Sequence, residues 1–203
     1  MVNLRSRVTR LGVLDIGSNT IHMLIVDAAP GARPDPEAST KSTVRLMQYV
    51  KDDGSIKKSG IEAILTAVDQ CMELAEEYDI TQLLAMATSA IKEAPNSNKI
   101  LRKIEERIGQ SVTVLSGTDE ARLTFLAARR WYGWDAGRLL MLDIGGSSLE
   151  VAMGSDEEPT VALSAAAGAC RITREYLPEG TASVDELEVV RKKVRRILEP
   201  MVD

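Results

Sequence analysis

Aromatic residues are scarce in this 203-residue chain: two Trp, four Tyr and one Phe. So thin a supply excludes the row of stacking platforms that single-stranded nucleic acid requires. It also leaves the core to Leu, Ile, Val, Ala and the eight Met. Histidine is nearly absent. The single one, His22, falls inside a strand-like run, where a structural role is the plain reading and histidine-based catalysis finds no support. Cys71 and Cys170 lie far apart and match neither metal-ligand nor redox spacing, so nothing points to an oxidising compartment. No apolar run is long enough to cross a bilayer, and Arg5, Arg7 and Arg10 are not followed by an apolar signal region. The expectation is a cytoplasmic protein with no membrane partner. Cationic excess is missing too: 25 Lys+Arg stand against 30 Asp+Glu, a formal net charge of -5. Such a chain does not attract nucleic acid by its overall field, and no specific nucleic-acid partner is expected. A phosphate-rich ligand would need a local device instead: aimed backbone amides, a few placed cations or a metal ion.

What is present is an internal echo. Leu11 to Asp15 reads as a short apolar strand, followed by Gly17-Ser18-Asn19 and a second strand from Thr20 to Asp27. Leu139 to Asp143 is another apolar strand, followed by Gly145-Gly146-Ser147 and a strand from Ser148 to Met153. The turns align as Asp15-Ile-Gly-Ser-Asn-Thr20 and Asp143-Ile-Gly-Gly-Ser-Ser148. Two copies of strand, Asp-Ile-Gly turn and strand predict two domains of related topology facing one another. Glycine lets the backbone approach a ligand closely, and successive amides of such a turn form an anion-binding concavity. An aspartate at a strand end can hold a divalent cation. A single Asp-Ile-Gly-Ser is most often an ordinary hairpin turn; the repetition is what favours phosphate.

The stretch between the echoes reads as one α/β domain. After a Pro/Gly-rich loop at 30–36, Val44 to Val50 is expected as a third strand. Helical spacing at Ile61, Ile64, Leu65, Val68, Met72 and Leu74-Ala75 predicts a helix over 61–78. A buried strand from Leu83 to Ala87 leads into Thr88-Ser89-Ala90. Then come a helix over 100–108, a strand over 112–115 and a helix over 119–131. The expected division is a first domain at 1–134 and a second at 135–203. The second stops inside a charged helix, Asp185 to Leu198, with too few strands to match the first. It is therefore expected to be incomplete, to expose a strand edge and to self-associate as a homodimer.

Four motifs in order carry a family resemblance. They are Asp15-Ile-Gly-Ser-Asn-Thr20, Thr88-Ser-Ala90, Ser116-Gly-Thr-Asp-Glu-Ala-Arg-Leu123 and Asp143-Ile-Gly-Gly-Ser-Ser-Leu-Glu150. The order resembles that of the Ppx/GppA phosphatases, which comprise exopolyphosphatases and guanosine pentaphosphate phosphohydrolases. The stretch from Arg122 to Gly137 is similar to their actinobacterial branch. The resemblance implies an actin-like (ribonuclease H-like) fold with mixed sheets in both domains. It also implies Mg²⁺-dependent hydrolysis of the terminal phosphoanhydride of inorganic polyphosphate, or of a guanosine polyphosphate. Within it, Glu120 is the general base. Phosphate contacts fall to Asp15, Gly17, Ser18, Asn19, Thr20, Ser89, Lys92, Gly145, Gly146, Ser147, Ser148 and Arg171, and the metal to Asp143 and Glu150.

Bland readings stand beside these roles. Glu120 follows a Ser-Gly turn at a helix start, where an acid commonly serves as a cap or dipole partner. Glu150 could be an exposed strand residue, and the basic run Arg191 to Arg196 is most simply a solvated helix face. Three places depart from the family pattern, one of them Ser164-Ala-Ala-Ala-Gly168-Ala-Cys170-Arg171, which lacks the leucine and proline of the pattern before its glycine but keeps Gly168 and Arg171. Lys92 replaces an arginine, trading a bidentate fork for a point charge. Ser147 replaces a third glycine, which would strain the backbone wherever that position needs positive φ. A non-catalytic binder of polyphosphate or alarmones, and a kinase relative sharing the paired turns, are the rival classes.

Overall fold

The computed structural model describes residues 8–30, 35–177 and 182–201. Most of the loop expected at 30–36 lies outside the described residues, as do the side chains of Ser89 and Ala90. Contacts divide the chain into two compact units, Met1–Val114 and Leu115–Asp203.

The first unit contains β1 (Thr9–Ile16), β2 (Thr20–Ala28), β3 (Pro36–Thr43), α1 (Lys58–Glu77), β4 (Gln82–Ala87), α2 (Ser89–Glu93), α3 (Ser97–Ile108) and β5 (Thr113–Val114). Its sheet runs β3-β2-β1-β4-β5. The first three strands are antiparallel, whereas β4 pairs parallel with β1 and β5 with β4. This is the mixed sheet of the actin-like fold. Alternation in β1 and β2 sends Leu14, Ile16, Ile21, Met23 and Ile25 to one face. There Ile64, Val68 and Cys71 of α1 and Ile100 and Ile104 of α3 close over them in one cluster. Each such aliphatic side chain, fully withdrawn from water, contributes about 1.5–3 kcal/mol.

The third strand is not where the apolar pattern put it. Val44 to Val50 was the expected strand, but β3 is the polar segment Pro36–Thr43, and Leu46–Tyr49 forms a 3₁₀ turn. An edge strand with an open face has no need of apolar alternation, so Pro-Glu-Ala-Ser-Thr-Lys-Ser-Thr carries no hydrophobic signal. Val44, Leu46 and Met47 are buried instead as a plug beside the β1–β2 turn.

The second unit contains α4 (Gly117–Tyr132), β6 (Leu139–Ile144), β7 (Leu149–Gly154), β8 (Val161–Ala165), α5 (Ala169–Tyr176) and α6 (Val184–Leu198). Its sheet, β6-β7-β8, is antiparallel throughout among the described residues. It therefore repeats only the β1–β3 half of the first sheet, and the expected mixed pairing is absent there. The boundary expected at 134 also differs from the observed division. Ala121 and Phe125 of α4 pack on Ala152, Leu139, Met141 and Ala162, so this helix belongs with the second sheet. Arg129 is fully buried at its end. The guanidinium donates to the carbonyls of Gly133, Gly137 and Gly154 at 3.1, 2.6 and 3.0 Å, tying the helix end to β7.

Two glycine turns and an acidic strand end

The two Asp-Ile-Gly turns close in the same way. In the first unit the Gly17 amide donates to the Thr20 carbonyl at 2.9 Å, and in the second the Gly145 amide donates to the Ser148 carbonyl at 2.9 Å. The carbonyls are also occupied. Asn19 O accepts from the Val44 and Arg45 amides at 2.9 and 3.0 Å, and Ser18 O from Leu46 at 2.8 Å. In the second turn the carbonyls of Gly145, Gly146 and Ser147 accept from Ala169, Arg171 and Gly168 at 2.9, 3.0 and 3.2 Å. The amides between are left over. Among the described residues, those of Ser18 and Asn19, and of Gly146, Ser147 and Ser148, donate to no protein acceptor. Each turn thus fixes its carbonyls inward and keeps a run of donors, the arrangement that holds an anion.

Asp15, next to last in β1, lies directly opposite His22 of β2. Although Asp15 retains access to solvent, the protein packed around its strand end pushes its carboxyl above the usual range, a tendency His22 partly offsets. Arg45, unremarked in the sequence, sits beside the turn with left-handed backbone (φ 51°). At the neighbouring strand end, Thr88 precedes α2, and its hydroxyl is buried without a partner. Ser89 opens this helix and Lys92 is exposed on its last turn.

The second unit gathers the acidic residues. Asp143 and Glu150 are cross-strand partners in the β6–β7 ladder, so both carboxylates rise from the same face. Glu150 is only 4 % exposed, which rejects the reading of it as a solvated strand residue. Its carboxylate accepts from the Ser164 hydroxyl at 2.8 Å and also from Ser148. Burial raises its carboxyl above the ordinary value; the two hydroxyls offset part of this, and the charge of Asp143 adds to it. A buried carboxylate held by two hydroxyls, with a second carboxylate opposite, makes an acidic donor pair. Mg²⁺ takes one or two carboxylates and completes its octahedron with water and phosphate oxygens, so this donor pair fits it. No cluster of three or more acidic, His or Cys side chains occurs among the described residues.

The start of α4 lies at this acidic end. Gly117 approaches Ser164 so closely that a Cβ there would overlap the Ser164 hydroxyl and stand 3.9 Å from Glu150 Oε1. Ser116 caps the helix, its hydroxyl accepting from the Asp119 amide at 3.1 Å, and the Asp119 carboxylate returns the bond. Capping is therefore the work of Asp119, and Glu120 occupies the first turn half-buried without that duty. The reading of Glu120 as a first-turn partner of the helix dipole stands beside the functional one.

Arg171 turns out to serve the turn itself. Its Nε donates to Ser147 O at 2.9 Å, and its guanidinium stands 3.9 Å from Glu175. Ser147 is 2 % exposed, yet its backbone is unstrained: among the described residues, only Arg45 and Asp79 show positive φ without being glycine. The strain expected at Ser147 is absent. The basic run on α6 is solvent-exposed except at Val194. Gly117, Ser164 and Gly168 were not marked as site residues from the sequence. Three small residues of this kind give no chemical signal until the fold brings them against the second turn and the acidic strand end.

Residues 24–203 match the Ppx/GppA phosphatase family. Exopolyphosphatase 1 of Mycobacterium tuberculosis is 51% identical over 84% of this chain and 49% of its own length. The chain thus spans about half the length of the curated relatives it matches. An exopolyphosphatase structure from Cytophaga hutchinsonii superposes with a TM-score of 0.86 at 26% identity, covering 95% of this chain and 62% of the other. The Aquifex aeolicus Ppx/GppA family structure gives a TM-score of 0.75 at 22% identity, covering 96% and 63%.

Proposed function

The chain belongs to the Ppx/GppA phosphatase family, and from that premise we propose that it hydrolyses the terminal phosphoanhydride bond of inorganic polyphosphate, releasing orthophosphate. The observation that carries this reading is the pair of equivalent turns, each with its glycine amide bonded internally and the following amides unpaired. A polyanion is what such donors bind, and on a chain of formal charge -5 they supply what the overall field does not.

In this reading Ser18, Asn19, Gly146, Ser147 and Ser148 present their amides to phosphoryl oxygens. Arg171 holds the second turn in shape through Ser147 O, and Lys92 adds a mobile positive charge. Asp143 and Glu150 would hold Mg²⁺, which neutralises phosphate charge when bound. Glu120 orients a water molecule and takes its proton as the oxygen attacks the terminal phosphorus. The P–O bond to the next phosphate breaks, and the shortened chain leaves as the anion. Glu120→Gln keeps size and hydrogen bonding but removes the base; about 10²–10⁴-fold slower phosphate release with unchanged polyphosphate affinity is the expected result. Equal rates would remove Glu120 from the mechanism.

The same reading includes a homodimer. Whereas β1 is flanked by both β2 and β4, its counterpart β6 is an edge strand among the described residues. Leu140, Leu142 and Ile144 on one of its faces are 62%, 62% and 67% exposed. A face of this kind favours a second copy, and sedimentation at rising concentration reads it directly. No described helix is long and apolar enough to cross a membrane.

A further inference from the structure

In the first unit a cavity of about 410 Å³, with no residue of the Asp15–Thr20 turn in its lining, opens between α1, α3 and the segment around Lys51. Its floor is apolar, built by Ile56, Ile61 and Leu65, and four lysines line it: Lys51, Lys58, Lys99 and Lys103. Glu62 is the one carboxylate among the lining residues, and it is engaged with Lys58 at 3.4 Å. Lys99 and Lys103 stand one turn apart on α3 and enter no ion pair among the described residues. Like charges so placed destabilise a helix. On a chain of net charge -5, the Lys99–Lys103 pair gains nothing from folding.

The wall is also fixed in advance. Asn96 receives the Ile56 amide on Oδ1 at 3.0 Å and donates from Nδ2 to the Ile56 carbonyl at 2.9 Å. That two-point bond locks the start of α3 to the floor, so the cavity need not be assembled when a ligand arrives. Lysine stems covering apolar surface would by themselves need no cavity. A hollow of this size with an apolar floor and a cationic rim matches a small organic ligand with an anionic end.

We propose that this cavity is a second anion site, which takes a small organic polyphosphate of the nucleoside triphosphate class. The ligand's uncharged portion rests on Ile61 and Leu65, and its phosphates lie among the lysines. An inorganic chain lacks the part that fills the floor, which separates this site in chemistry from the two turns.

The test is amide chemical-shift mapping of the ¹⁵N-labelled chain, titrated with ATP and, separately, with inorganic tripolyphosphate. Local reporting keeps the cavity distinct from the turns. ATP should shift the amides of Ile61, Leu65, Asn96, Lys99 and Lys103 to saturation. Tripolyphosphate should act on them at least about tenfold more weakly. Lys99→Gln with Lys103→Gln should weaken ATP by about tenfold or more at these amides, with an unchanged spectrum elsewhere. Lys41→Gln, on β3 and outside the lining, should change nothing. Absence of saturable shifts with ATP, equal affinity for tripolyphosphate, or indifference to the double lysine change would each overturn the proposal. Loss of binding at residues 145–148 alone would count against the turns and leave this cavity standing.

Discussion

Gly168→Ala should damage the Asp143–Ser148 turn from outside it. A Cβ on Gly168 would stand 2.5 Å from Ser147 N and closer still to Ser147 C and Ser148 N, all backbone atoms with no flexible end to yield. The start of α5 must therefore back away from the turn. In doing so it lengthens the bonds from Gly168, Ala169 and Arg171 amides to the carbonyls of Ser147, Gly145 and Gly146. Overpacking against backbone costs about 1–3 kcal/mol and each weakened hydrogen bond about 0.5–1.5, so a loss near 2–4 kcal/mol is expected after partial relaxation. Gly109→Ala is the matched control. Gly109 has φ +73° with open space around its Cβ position, so only the left-handed backbone cost of about 1–2 kcal/mol applies. Urea unfolding followed by far-ultraviolet circular dichroism gives the stabilities, and calorimetric titration gives orthophosphate affinity. Gly168→Ala should lose both stability and affinity, Gly109→Ala stability alone. If Gly168→Ala were no worse than the control and bound phosphate normally, the docking of α5 on the turn would not support the site.

Three further outcomes follow from the acidic strand end. Burial, reinforced by Asp143, raises the Glu150 carboxyl above its ordinary 4.5, so the folded chain retains a proton that the unfolded chain has released. Stability then falls as pH climbs from 4.5 through the raised value, and Glu150→Gln should flatten that fall in thermal melts across the range. Ser164→Ala removes a donor 2.8 Å from Glu150 and should weaken Mg²⁺ binding by about 10-fold in calorimetry, an unchanged affinity contradicting its orienting role. Ser147→Gly relieves no strain, because Ser147 lacks positive φ; it should lower stability by about 0.5–1 kcal/mol without speeding hydrolysis.

The turns were legible because their chemistry is written in consecutive residues: an apolar strand, Asp-Ile-Gly and hydroxyls, twice over. The facing of Asp143 and Glu150 is a matter of register, the β6–β7 ladder making them direct cross-strand partners. What could not be read was whatever depends on packing partners. Pro36–Thr43 is a strand because β2 offers it an edge, not because its own residues alternate. Helix α4 carries an amphipathic face that would suit either sheet, and only the contact of Phe125 and Ala121 with Ala152 assigns it to the second unit. That assignment brings the helix start bearing Glu120 to the Glu150 end, which the boundary at 134 had separated. Arg129 is one of two consecutive arginines in the sequence, and nothing local tells that three backbone carbonyls converge on it in the core.

The central claim is terminal phosphoanhydride hydrolysis, and ³¹P NMR of polyphosphate incubated with the protein and Mg²⁺ reads it bond by bond. Orthophosphate should be the sole new small species from the outset. The end-group signal should hold constant while the internal-phosphate signal declines, and Glu120→Gln should suppress both changes. A rise in end groups without orthophosphate, which marks cleavage inside the chain, or no change at all, would contradict the account.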